Sequence, residues 1–97
     1  MHDLVWTIAE KKIARLAFDT AVSEELNSLI SEFKRRAAAI KETADLWEIR
    51  DWLTSRQGEI DHEYDYRYSK LIFVFARLVG KDKIKMYQLS GLSEDKI

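Results

Sequence analysis

No glycine stands before Gly58 and no proline stands anywhere in the chain, while alanine, leucine, lysine, arginine and glutamate fill the first half. Glycine and proline build tight turns, and the other five are strong helix formers. The chain is therefore expected to be all-α, made of long helices with few connections. Thr7-x-x-Glu10 has the form of a capping box, which predicts a helix start near Ile8. Phe18, Val22, Leu26, Leu29, Ile30, Phe33, Ala37 and Ile40 then fall within one arc of about 120°. A first helix is expected from about residue 8 to about residue 42, roughly 50 Å long.

Trp6, Ala9, Ile13, Leu16 and Ala17 lie on nearly the opposite side of that helix. A kink or a late start would explain them, and so would a second apolar face for another subunit. The length of the rod favours the subunit, because a chain of 97 residues has too small a core to cover it. Thr43 is placed to cap a second helix beginning at Ala44, with Leu46, Ile49, Trp52, Leu53 and Ile60 on one arc. Gly58 is expected to bend or end it. A third helix is expected from Ile60 to Val79, with Tyr64, Tyr68, Leu71, Phe75 and Leu78 facing the core and Gly80 as its stop. In the tail, Ile84, Tyr87 and Leu89 fit one short helix, and Ser93 could cap another.

Composition excludes several classes. There is no cysteine, so no disulfide and no thiolate. Sixteen basic against 17 acidic residues give a net charge of −1, which argues against broad nucleic-acid binding. The longest apolar run, Leu71 to Ala76, is far short of the ~20 residues of a membrane span. Asp3 and Glu10 interrupt the first ten residues, so no signal peptide is expected and the chain reads as cytoplasmic.

The informative residues lie off the apolar stripes. Trp47 sits about 100° or more from Leu46 and Leu53, beside Arg50 at i+3 and Asp51 at i+4. An indole flanked by a cation and an anion suits an interface centre, unless another helix covers it as core. Phe73 lies about 180° from Tyr64, near Tyr66, Lys70 and Arg77, and is a docking candidate unless the tail from Lys81 folds over it. Glu59, Asp61, His62 and Asp65 form an acidic turn with one histidine, too poor a set for a metal centre. Ser55 and His62 do not form a catalytic unit, no glycine-rich loop is present, and Lys34-Arg35-Arg36 with Lys41 reads as a solvated face beside Glu32 and Glu42. No catalytic group, metal or cofactor is expected.

The stretch Asp45-Leu-Trp-Glu-Ile-Arg-Asp-Trp-Leu, then Glu59-Ile-Asp, Tyr64-Asp-Tyr-Arg67, Leu71-Ile-Phe-Val-Phe-Ala76 and Leu89-Ser-Gly-Leu-Ser-Glu-Asp-Lys96, resembles the fluorescence recovery protein family of cyanobacterial photoprotection, and Trp6 has a counterpart there. The resemblance covers nearly the whole chain and is strongest from Asp45 to Ala76. It implies one all-helical domain over residues 1–97, with a helical hairpin or stalk at about 8–60 and a small helical head at about 61–97, paired as an antiparallel homodimer. It also implies a non-enzymatic regulator. Such a regulator binds the photoactivated orange carotenoid protein, mainly through that protein's C-terminal domain, and speeds its return to the resting form. This ends quenching at the phycobilisome.

By the same resemblance Trp47 and Asp51 match the family's interaction patch, while Arg50 stands where the family has His and Gln57 where it has Arg. Arg50 lies two turns from Gln57 on nearly the same line, where it could supply the missing charge, whereas Arg56 points about 180° from Trp47. Phe73 matches a functional phenylalanine of the head, and a functional lysine near the family's C-terminus would fall beyond Ile97. The expected partner surface is thus Trp47, Arg50, Asp51 and Gln57, with Phe73, Lys70 and Arg77. The expected dimer interface is Trp6, Ile13, Leu46, Trp47 and Leu53. Two rival readings are a helical scaffold or chaperone-like adaptor for a different client, and an enzyme or metal protein built on Glu59, Asp61, His62 and Asp65.

Overall fold

The Thr7–Glu10 pair sets the first helix. In the computed structural model, which describes residues 5–93 and Lys96, Glu10 donates its backbone N–H to Thr7 Oγ1 and Thr7 donates its own to Glu10 Oε1, each at 3.1 Å. Helix α1 follows as Ile8–Ala38, where the capping box predicts its start. It ends about a turn early. The Asp45 carboxylate accepts the backbone N–H groups of Lys41 (2.9 Å) and Glu42 (3.1 Å), which turns the chain into α2, Thr43–Glu63. Those two bonds also hold the Asp45 carboxyl below its ordinary pKa. Thr43, expected as the cap, is already the first helical residue.

Gly58 neither bends nor ends α2, which runs through it. A Cβ built there meets nothing within 4 Å. Gly58→Ala is therefore expected to stabilise the chain by about 1 kcal/mol, read as a raised melting temperature, because it removes only backbone freedom from the unfolded state.

The third helix, α3, begins at Leu71 rather than Ile60 and closes at Gly80, one residue before its C-cap Lys81. The chain from Tyr64 to Arg67 is irregular, and 68–70 form a turn. The cause is aromatic. Tyr64, Tyr66 and Tyr68 alternate in sequence, and the irregular chain brings all three into one aromatic cluster. There Phe18 meets Tyr64 at 5.8 Å and Tyr66 at 4.7 Å between ring centroids, and Tyr68 lies 5.7 Å from both Tyr66 and Trp6. A 3₁₀ turn, Met86–Leu89, supplies the short element expected around Tyr87 and Leu89. No strand occurs among the described residues.

Two units result. Ser23–Glu63 form one, and residues up to Val22 with those from Tyr64 onward form the other. In the second, Leu71, Val74, Phe75 and Leu78 of α3 share a core with Ala14, Ala17, Phe18 and Ala21 of α1, closed by Ile84, Leu89 and Leu92. Trp6 and Ala17 are buried in this core and Ile13 packs on it, so these three members of the supposed second apolar face have partners within the chain itself. Leu16 remains exposed.

A buried clasp completes this unit. The Glu10 carboxylate accepts the Ser93 backbone N–H at 2.9 Å and the Lys96 ammonium at 3.2 and 3.3 Å. Lys96 also donates to Ser93 Oγ at 2.9 Å and stands 5.1 Å from the centroid of the Trp6 ring. The backbone donors of Ser93 and Thr7, then Lys96, hold Glu10 down at about pKa 2 against an ordinary 4.5. A depressed carboxylate stabilises the fold fully above its unfolded pKa and loses that contribution as pH falls through the folded value. Stability from Glu10 should therefore fade between about pH 4.5 and 2. Glu32 shifts to about 2 through Arg35 and Arg36 and titrates over the same window. Comparison with Glu10→Gln separates the two: urea midpoints of parent and variant should differ at neutral pH and converge near pH 2.

Candidate partner-binding surface

Within Ser23–Glu63 the two helical segments run antiparallel. Early Glu25 pairs with late Arg56 at 3.1 Å, and late Arg36 lies 4.1 Å over the ring of Trp52 on α2. Arg56 also pairs with Glu59, so its guanidinium is committed to this unit. Of the apolar side chains here, Ile49 and Ile60 are buried, whereas Leu26, Ile30, Phe33, Leu46 and Trp47 remain 39–50% exposed. The stripe read from the sequence is thus present but uncovered. Two helical segments cannot enclose a 3.6-period stripe by themselves, and solvent keeps the remainder.

The uncovered side chains form an open groove of about 670 Å³. Leu26, Leu29 and Phe33 of α1 line one wall, and Leu46, Ile49 and Leu53 of α2 the other. Trp47, Arg50, Thr54 and Gln57 also line it. Trp47, placed apart from Leu46 and Leu53 by helical angle, therefore opens on the same groove. Arg50 donates to Asp51 Oδ1 from Nε (3.1 Å) and Nη2 (2.9 Å), and its guanidinium carbon stands 5.3 Å from the Trp47 ring centroid. Thr54 donates its hydroxyl to the Arg50 carbonyl at 3.0 Å. The structure thus brings Trp47, Arg50, Asp51, Gln57, Leu46 and Leu53 together.

The second candidate cluster belongs to the other unit. Phe73 is 69% exposed on α3, so no described tail residue covers it. Lys70 precedes the helix and is exposed, and Arg77 is half-buried on it. Trp6 and Ile13, expected in a dimer interface, face the core of their own unit.

The acidic turn is dispersed. Glu59 pairs with Arg56, and Asp65 accepts from Arg67 at 2.8 Å. Among the described residues no group of three or more His, Cys, Asp or Glu side chains is placed to hold a metal ion. No helix among them is long and apolar enough to cross a membrane. Sequence reasoning missed the Glu10–Lys96 clasp, which has no local signature, and the alternating tyrosines, which carried a signal that helical spacing obscured.

An all-helical chain with an open apolar groove, edged by an indole and a paired arginine and aspartate, has the makeup of a protein that meets other proteins. Its family is shown by comparison: the chain belongs to the fluorescence recovery protein family, since the model of the photoprotection regulator fluorescence recovery protein matches residues 6–97. A fluorescence recovery protein from Synechocystis sp. PCC 6803 is 36% identical over 91 residues, covering 94% of this chain and 84% of that protein. The solved fluorescence recovery protein of Fremyella diplosiphon is 38% identical, with a TM-score of 0.87 over 95% of this chain and 90% of that one. The solved Synechocystis protein has the same TM-score and coverage at 36% identity.

Proposed function

We propose that this chain is a non-enzymatic photoprotection regulator, acting in the cytoplasm as an antiparallel homodimer. It binds the C-terminal domain of photoactivated orange carotenoid protein and speeds its return to the resting form, ending phycobilisome quenching. The observation that carries this reading is the groove of Ser23–Glu63, where a continuous apolar surface adjoins the Trp47–Arg50–Asp51 group. Leu46 and Leu53 give a second copy the apolar area that one hairpin leaves in water. Trp47, Arg50, Asp51 and Gln57 meet the client, and Phe73 with Lys70 and Arg77 makes a separate contact.

The mechanism is differential binding. A regulator that prefers one conformer shifts the population toward it, and it accelerates conversion only by also stabilising the barrier state. The test is optical: photoactivate purified orange carotenoid protein, add this chain, and follow the colour's return in the dark. Faster recovery is expected, and it should weaken for Trp47→Ala. Gln57, which stands where the family has Arg, favours one second reading: a helical scaffold or adaptor for a different client. An unchanged recovery rate with a folded dimer would decide for that reading.

A further inference from the structure

On α2 the groove-lining Leu46, Arg50, Leu53 and Gln57 follow one stripe. Trp52 and Arg56, one turn apart, follow another, roughly 110° around the same helix. Neither lines the groove, yet both meet α1. The Arg36 guanidinium carbon stands 4.1 Å from the centroid of the Trp52 ring, and Arg56 Nη2 donates to Glu25 Oε1 at 3.1 Å. Each cation is also tied to its own helix. Arg36 Nε donates to Glu32 Oε1 at 2.9 Å, and Arg56 pairs with Glu59. None of these six side chains touches the groove.

Packing alone fixes the spacing of these helices poorly. From Ser23 onward α1 buries no side chain, and the apolar side chains that α2 buries are Ile49 and Ile60. Helix separation is ordinarily set by side chains that interdigitate at a filled contact, and here that contact is thin. The two arginines supply what is missing. A guanidinium stacked on an indole and held from behind by a carboxylate has a defined position. The Arg56 and Glu25 side chains are only 29% and 13% exposed, so water screens this pair less than an open surface pair.

We propose that Arg36 and Arg56 are positioning residues of the groove. They brace α1 against α2 on the polar side of the hairpin and so fix the distance between the groove's two apolar walls. A braced groove is preorganised, and an occupant that meets it need not order the walls on binding. The proposal rests on the reading that the groove is a contact surface.

The experiment measures the wall spacing and the self-association of the full chain separately. The chain has no cysteine, so spin labels on Ser31→Cys and Ser55→Cys, both exposed, report the distance between α1 and α2 alone. Diluting labelled into excess unlabelled chain leaves one labelled copy in any dimer. In Arg36→Ala/Arg56→Ala the distance distribution should broaden, and the dissociation constant from sedimentation equilibrium should rise roughly tenfold, the cost of ordering one or two more side chains on binding. Each single variant keeps the other brace, which leaves a folded sample should the pair unfold. Arg36→Lys returns a cation to the Trp52 ring and should restore both readings most of the way. Arg35→Ala is the control. Arg35 shares the Glu32 carboxylate but, among the described residues, makes no ion pair or ring contact with α2, so its loss should change neither reading. A merely stabilising role would lower the urea midpoint and leave the dissociation constant of the folded chain where it was. An unbroadened distribution in the double variant would overturn the braces. So would a broadened one with an unchanged dissociation constant, provided that Leu46→Glu on the groove wall weakens the dimer. Leu46→Glu without effect would sink the dimer reading instead, and the distances alone would then decide for or against the braces.

Discussion

Leu46→Glu is expected to leave the chain monomeric at micromolar concentration, where the proposed homodimer predicts that the parent scatters light as a dimer. Leu46 is 47% exposed and lines the groove with Leu26 and Phe33, themselves 41% and 39% exposed. Isolated exposed apolar residues are ordinary, whereas a continuous set on one surface marks an interface. In a two-fold assembly the substitution is counted twice, and each new carboxylate must leave water for an apolar seam. A dissociation constant raised by roughly a hundredfold or more follows from about 3 kcal/mol of desolvation. The helical circular dichroism should be unchanged, because the side chain is already half in solvent. A dimer that persisted would show that the groove is not the seam.

Phe75→Ala is expected to cost about 3–5 kcal/mol, read from urea unfolding followed by circular dichroism. Phe75 is 2% exposed between Leu71 and Leu78, which are fully buried, and it shares a core with Ala14, Ala17 and Ala21 of α1. Total stability for a domain of this size is about 5–15 kcal/mol, so the variant sits near its unfolding limit. Helix α3 has ten residues and cannot persist without that packing. Phe73, two positions earlier and 69% exposed, supplies the control. Its replacement by alanine should change stability by only about 0.5 kcal/mol. A loss below about 1 kcal/mol for Phe75→Ala would contradict its place in the core.

The parts legible in the sequence are those that local spacing determines. The Thr7–Glu10 box marked the start of α1, and the spacing of Leu71, Phe75 and Leu78 marked a buried face. Helix ends were less legible: the Asp45 carboxylate reaches back to the N–H groups of Lys41 and Glu42, so α2 opens at Thr43 without a threonine cap, and Gly58 in a long helix costs too little to break it. Tyr64 and Tyr68 fit a helical spacing as well as an alternating one, and only contact with Phe18 and Trp6 decides between them.

At the candidate site, Trp47 and Phe73 stood out because each departs from its own helix's stripe, and both are exposed. Trp6 shows the limit of that argument. Helical angle tells which residues share a side, not whether the same chain covers it. The Glu10–Lys96 bond spans 86 positions, and no short window of sequence contains it.

The three tryptophans occupy three different surroundings. Trp6 is buried beside Tyr68 and an ammonium group, Trp47 is half in water at the groove, and Trp52 lies beneath the Arg36 guanidinium between the helices. Indole emission shifts with polarity and is quenched by nearby cationic and polar groups. The molecule therefore carries an intrinsic optical probe for each of its working parts. Replacing any two indoles by phenylalanine leaves one emitter, which reports on the chain ends, the open surface or the helix pair without an attached dye.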